Sequence, residues 1–563
     1  MKKILFLTLG SAVVLTSCSK LGNLTSDDFK VTPTPLVEQS GEVPAQISVT
    51  IPEKYMKKKA VVTCTPVLRY QGGEVTSESA TFQGEKVEGN GTAVQYKVGG
   101  TYSMKANFRY TPEMLKSDLY MKFDAKLGKK VKQIPEVKIG YGVIATEDLI
   151  SRCLDGATGA QATDKFQRTI QQKQEANIKF LINQANLRTS ELQSVSVKDL
   201  VAVLKDINDN NEKRVLDAIE VSAYASPDGK YSFNEKLAER RQNVSSDYLK
   251  KELQKIKMNA DINTRYTAED WDGFQELVKA SNLQDKQVIL SVLSMYKDPE
   301  EREQQIRNMS NIYTDIKDGI MPELRRARMI VNYQVIGRSD EEIVKQYKDD
   351  ASKLSVEELI YGANKLVSDP NEKQQWYQTI AKLFPNDYRA LNNQASVAYA
   401  EGDYEKAAQL LAKARNINSR APEVNTNQAL LALRDGKLNE AEGLLGQGFG
   451  ADAYNDVMGA YNVAKGNYQQ AAKNLGEAKN NAAALAQILN QDYAAARQTL
   501  AGVKNADATT SYLSAVLAAR TGDAAAVVSN LRQAFEKDAS LKARALNDLE
   551  FAKYATAIAG LVK

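Results

Sequence analysis

Over the first quarter of the chain, apolar and polar residues alternate with a period of two in short runs. ISVTI (47–51), AVVTCTPVL (60–68), TAVQYKV (92–98), TYSMKANFRY (101–110) and LYMKFDAKL (119–127) each read as a strand. QGG, EGNG and VGG between them are turn sequences, and the spacing predicts an antiparallel β-sandwich over residues 46–147. Tyr96, Tyr102, Phe108 and Tyr110 read as strand core and cross-strand pairs, and Lys54 to Lys59 as a solvated edge. Further along, Ile219, Val221, Ala223 and Ala225 alternate with Glu220, Ser222 and Tyr224 as in a half-buried strand. Ser226-Pro227-Asp228-Gly229 is turn chemistry, and the helix after it places Leu237, Val244 and Tyr248 on one face. From Ala268 to Met321 helix formers dominate, so that stretch predicts a helical insertion over about 268–322, with Trp271 and Phe274 in its core.

In the last third the period becomes helical and repeats. A turn residue stands at Gly402, Gly436, Gly466, Gln491 and Gly522, with gaps of 34, 30, 25 and 31. Seven residues before each turn sits Ala395, Ala429, Gly459, Ala484 or Ala515. Nine after it sits Leu411, Leu445, Leu475, Leu500 or Leu531. Small residues let paired helices approach closely while the leucine fills the seam to the next pair, so residues 355–563 predict an all-α solenoid. The short gap predicts trimmed helices, and Val356 to Leu383 a degenerate leading pair with Asp369-Pro370 at its turn.

At 563 residues the chain exceeds one core and divides into about three or four domains. Its 74 basic and 70 acidic residues leave a formal +4, which gives no field for nucleic acid. Histidine is absent, which excludes histidine-based triads and histidine-bearing zinc sites and leaves no expected cofactor or metal. At the start, Lys2 and Lys3 precede an apolar run from Ile4 to Leu15 that is too short to span a bilayer. The run ends in Leu15-Thr16-Ser17-Cys18, which resembles a bacterial lipobox. The resemblance implies a signal peptide over 1–17 and an acylated Cys18 anchoring the mature chain to a membrane. Residues 18–45, with Pro33, Pro35 and Pro44 and little apolar content, read as an extended tether. Cys64 and Cys153 read either as a disulfide or as two separate thiols.

The segment from Ile219 to Leu249 resembles the OmpA-like peptidoglycan-binding domain, whose helix carries N-x-x-L-[SA]-x-x-R; Asn234, Leu237, Ala238 and Arg241 match in register. The resemblance extends over 165–345: Asn177 to Arg188 as first strand and loop, Val197 to Asn210 as first helix, and Leu324 to Gly337, opening on Arg325 and Arg326, as closing strand. It implies that a loop carboxylate takes the ammonium of diaminopimelate and that the helix arginine takes its carboxylate as a bidentate pair. Arg241 matches the second role. At the loop position stands Ser226, with Asp228 two residues on as a substitute, and the bland alternative pairs Arg241 with Glu239 or Asp247.

The C-terminal pattern resembles tetratricopeptide repeats, including Pro422 at a repeat start, and implies a concave protein-binding groove that Asn392, Asn393, Asn427 and Asn462 could line. Together these features point to a multidomain α+β chain resembling a Bacteroidetes-like outer-membrane lipoprotein. It would be a non-catalytic scaffold that contacts peptidoglycan or an envelope assembly and recruits proteins through its repeats. No acidic residue directly follows Cys18, which in the bacteria it resembles implies the periplasmic face of the outer membrane. The alternative is a part of a secretion, fimbrial or outer-membrane complex without peptidoglycan binding, which Ser226 favours.

Overall fold

The computed structural model describes residues 21, 24–283 and 285–562, so Cys18 and the expected signal peptide lie outside the described residues. Residues up to 163 and from 363 onward form one compact unit, and residues 164–362 form a second.

In the first unit, two sheets share one apolar core. The smaller runs Phe29–Thr32, Glu42–Ile51, Gly100–Arg109; the larger is built on the antiparallel pair Ala60–Tyr70 and Ser117–Leu127. Alternation explains the faces: Val43, Ala45, Ile47, Val49 and Ile51 turn inward from one strand, and Leu119, Met121 and Ala125 from another. Two pairings depart from the antiparallel expectation, since Ala80–Gly84 runs parallel to Thr92–Val94 and Leu36–Val37 parallel to Val143–Ile144. The expected tether is corrected here. Residues 25–45 carry Phe29, Val31, Leu36, Val43 and Ala45 into this core, and Phe29–Thr32 pairs with Gln46 to Val49. Pro33 and Pro35 occupy the connection between strands; Pro44 lies beyond the stretch that pairs with Phe29–Thr32 and faces Asn107, whose N–H turns away to Ser77 Oγ at 2.9 Å, so none removes a needed ladder bond. Cys64 and Cys153 are two separate buried thiols.

The same unit contains the helical repeats, from Pro370–Leu383 through Ala555–Val562. All five repeat turns have left-handed backbone, with φ of 82°, 71°, 69°, 64° and 81° at Gly402, Gly436, Gly466, Gln491 and Gly522. At three of them the next residue, Asp403, Asp492 or Asp523, caps the following helix through its carboxylate. Ala395, Ala429, Ala484 and Ala515 are buried in the repeat core with the five seam leucines. A Cβ at Gly459 would lie 2.4 Å from Cγ of Leu475, the seam leucine of its own hairpin. The short period is accommodated by short helices, Tyr468–Leu475 and Asn481–Leu489.

The second unit holds a four-stranded sheet in the order Thr169–Lys179, Arg326–Ile336, Arg214–Tyr224, Ile262–Thr267. Helices Val195–Asp209 and Tyr231–Lys255 bury Leu200, Leu204, Leu249 and Leu253 against its Ile178, Val221 and Val331. Between the last two strands in sequence, helices from Trp271 to Leu324 enclose a separate core of Phe274, Val278, Ile289, Ile306 and Ile320. Helices Asp340–Asp350 and Val356–Tyr361, opened by capping boxes at Ser339 and Ser355, also belong to this unit.

Among the repeat turns, Gln491 alone takes the left-handed conformation without being glycine. Gln491→Gly removes that strain at the cost of unfolded-chain entropy, and is expected to stabilise the repeats by about 0.5–1 kcal/mol. Thermal melts read this as a small rise in Tm, and a fall would contradict it.

Candidate functional site

Asn234, Leu237, Ala238, Arg241 and Ser245 recur at three- and four-residue steps, so one face of helix Tyr231–Lys255 carries them inward. Arg241 is 1% exposed. It pairs with neither Glu239 nor Asp247. Its Nε donates to Gln184 O at 3.0 Å, Nη1 to Tyr224 O at 2.9 Å and Nη2 to Leu181 O at 3.2 Å. The guanidinium also stands 5.1 Å from the centre of the Phe180 ring. Burial lowers its pKa to about 10, with the nearby Arg325 charge acting in the same direction and Asp228 against it, so the group remains a cation at neutral pH. Asn234 ties the loop to the helix by donating to Ser226 O and Gly229 O, both at 3.1 Å.

The loop carboxylate is also engaged within the chain. Asp228 Oδ2 accepts from Arg325 Nη2 at 2.9 Å and its Oδ1 from the Ser226 hydroxyl at 2.7 Å, while Arg325 Nε reaches Ser226 Oγ at 3.2 Å. Arg307, from the helical insertion, donates to Asp228 O at 2.8 Å. The structure thus brings Ser226, Asp228 and Asn234 together beside Arg241. Sequence reasoning did not give Arg325 a part in this cluster. Its signal was the arginine pair that opens the closing strand; Arg326 goes instead to Asp270 at 3.3 Å.

In the repeats, Asn392, Asn393 and Asn427 lie on helices Tyr388–Ala400 and Pro422–Arg434, and all three meet the chain's own residues 159–162. Ala160 N donates to Asn427 Oδ1 at 2.6 Å, and Ala160 O accepts from Asn427 Nδ2 at 2.8 Å and Asn392 Nδ2 at 3.0 Å. Two residues on, Ala162 N donates to Asn393 Oδ1 at 2.7 Å, and Ala162 O accepts from Asn393 Nδ2 at 2.9 Å and Asn364 Nδ2 at 3.2 Å. Asn427 and Asn393 each offer one donor and one acceptor to one backbone residue, as a neighbouring strand would, while Asn392 gives the strap a donor alone. The asparagines brace one another as well: Asn427 Nδ2 donates to Asn392 Oδ1 at 3.0 Å and Asn392 Nδ2 to Asn393 Oδ1 at 3.1 Å. Ser396 Oγ donates to Gly159 O at 3.2 Å, and Gln161 N donates to Asp452 Oδ1 at 3.0 Å.

Asn462 does not join them. Its amide bonds Met458 O and Asn474 Oδ1 inside its own hairpin. At that level of the array the chain presents apolar residues instead: Leu149, Ile150, Cys153 and Leu154 are part of the repeat core beside Val457. The strap itself went unassigned in the sequence, where its signal was a run of small residues, Gly156-Ala157-Thr158-Gly159-Ala160, between two patterned regions.

No protein-family description matches the chain, and no curated protein matches it. Among solved structures, a tetratricopeptide repeat protein from Parabacteroides merdae is similar at 12% identity, covering 45% of this chain and 98% of that one with a TM-score of 0.26. The APC/C hetero-tetramer Cut9-Hcn1 aligns at 12% identity over 58% of this chain and 76% of that one, with a TM-score of 0.28. Yeast Tom70 aligns at 12% identity over 66% and 84%, with a TM-score of 0.23. Scores this low carry no argument about function, and the tetratricopeptide-like character of the repeats rests on their own turns, caps and seams.

Arg241→Ala would strand three backbone carbonyls, two of them in the loop after strand Thr169–Lys179. It is expected to cost the 164–362 unit about 3 kcal/mol. Urea unfolding followed by circular dichroism measures this, and an unchanged midpoint would show the three bonds to be dispensable.

Proposed function

We propose that this chain is a non-catalytic envelope lipoprotein, anchored through acylated Cys18 at the periplasmic face of the outer membrane. In this reading it serves as an assembly component whose OmpA-like unit does not read the peptidoglycan stem peptide. The carrying observation is the Asp228–Arg325 ion pair. The carboxylate that would receive a ligand ammonium already has a buried guanidinium partner, with the side chains only 16% and 10% exposed. Displacing that partner would leave an unpaired charge in a desolvated site, at a cost of several kcal/mol. Arg241, the group that would receive the ligand carboxylate, is committed to three carbonyls in the same way. The repeats and the β domain then act as the protein-contacting body of the molecule.

A second reading, attachment to the wall, is favoured by one feature: Asp228 and Arg241 lie in one loop-and-helix site, with the positive field of Arg241 and Arg325 beside a carboxylate. Sedimentation of the Cys18-less protein with insoluble peptidoglycan separates the two. The assembly reading predicts that the wild type stays in the supernatant and that Arg325→Ala, which frees Asp228, shifts a measurable fraction to the pellet. Co-sedimentation of the wild type, lost in Asp228→Ala, would establish the wall reading instead.

A further inference from the structure

The groove of the repeats is filled by a segment of the same chain, and the contacts that hold it are of two kinds. Upstream, Leu149, Ile150, Cys153 and Leu154 are buried apolar anchors. From Asp155 to Thr163 the character changes, because Asp155, Gly156 and Thr158 are exposed and the buried residues are only Gly159, Ala160 and Ala162. Burial of such small side chains contributes little. The centre of this stretch is held by amide bonds from Asn364, Asn392, Asn393 and Asn427, all directed at backbone N–H and C=O groups. Besides these, the Asp155 carboxylate accepts from Tyr404 and Arg434, and the Gln161 amide donates to Ser396 Oγ at 2.6 Å. Asn392 and Asn393 are 0% exposed, so the readers are fixed in place while the residues they read, Ala160 and Ala162, bring no large side chain. The fit is limited by size at one point: a Cβ on Gly159 would meet Asn427 Oδ1 at 2.6 Å and Ser396 Oγ at 3.1 Å.

We infer that the concave groove of the repeats is a receptor for extended segments of small residues, read through their backbone, and that residues 155–163 are its resident ligand. The inference goes beyond the proposed function and stands whether or not the wall is bound. Because recognition falls on the backbone of Ala160 and Ala162, the side chains at Gly159, Ala160 and Ala162 matter only by being small. Covalent attachment keeps the resident segment at a millimolar effective concentration, so an identical segment in trans enters only when the strap is weakened. Stretches with little apolar burial open locally at lower free energy than the helices they pack on, so the strap is expected to leave the groove before helices Tyr388–Ala400 and Pro422–Arg434 unfold.

The test uses the full Cys18-less chain and a fluorescein-labelled peptide of residues 154–164, followed by anisotropy. Wild type is expected to bind the peptide weakly, and Gly159→Val at least about tenfold more tightly, the gain being lost when Asn427→Ala is added. Equal binding by all three chains, or no binding by a Gly159→Val chain with wild-type circular dichroism, would overturn the inference. Hydrogen exchange on the wild type decides independently should Gly159→Val misfold. The amides of Ala160 and Ala162 are expected to exchange at least about tenfold faster than helices Tyr388–Ala400 and Pro422–Arg434, which hold them. Exchange at the helices' own rate would make the strap a fixed part of the core and defeat the inference.

Discussion

Four backbone groups, the N–H and C=O of Ala160 and Ala162, are held by asparagine side chains that lie more than two hundred residues away in sequence. The placement of residues 155–163 within the 1–163 and 363–563 unit depends on that exchange. Buried backbone amides and carbonyls must be paired, and a single extended segment inside a helical groove has no neighbouring strand to pair with. Asn393 and Asn427 supply the missing edge, one residue of strap at a time. The apolar turn before the strap closes on the repeat core, and beyond it ion pairs continue the attachment: Arg544 reaches Asp148 at 2.8 Å, and Arg152 pairs with Asp538. Glu147 accepts from Ser40 N at 2.7 Å and from the Tyr468 hydroxyl, joining a loop of the β domain to a repeat helix. Burial raises the Glu147 pKa, so the bonds it accepts offset part of the cost of a carboxylate held away from water.

The central unit applies the same principle to charge. Arg241 is a cation inside a folded unit, made tolerable by carbonyl dipoles and an aromatic face rather than by a carboxylate. Asp228 is satisfied by Arg325 and Ser226. Together they leave a loop-and-helix arrangement whose polar groups already have partners inside the chain, and the proposed assembly role rests on that pairing.

Local features of the fold were legible in the sequence, and non-local ones were not. Gly402, Gly436, Gly466, Gln491 and Gly522 could be read as turns because a left-handed residue between two helices, followed at three of the five by a capping aspartate, is a local signal. The small and leucine positions followed from the same repeat. Residues 25–45 were misread because the strands Phe29–Thr32 and Leu36–Val37 are short and the prolines between them imitate a linker. Strand Ile262–Thr267 passed unnoticed because four of its six residues are exposed, leaving no alternation to see. At the candidate sites, the asparagines were found by type and spacing, whereas their ligand was not. A backbone-read segment carries no distinctive side chains, and its partners are set by a chain path that leaves the unit at 163 and returns at 363. Arg325 was noticed only as half of an arginine pair; its bond to Asp228 joins positions 97 residues apart.

The central claim, that residues 155–163 lie in the repeat groove of their own chain, is open to direct chemical capture. The backbone N of Gln161 stands 3.0 Å from the exposed carboxylate of Asp452. The Gln161 side chain turns to Ser396 Oγ, and a lysine there, longer and without that amide's bond, would have Asp452 within reach. Carbodiimide treatment of a dilute Gln161→Lys chain, digested and read by mass spectrometry, is predicted to give an isopeptide joining positions 161 and 452 within one molecule. Cross-links from position 161 to carboxylates elsewhere, or only between molecules, with none to Asp452, would contradict the account.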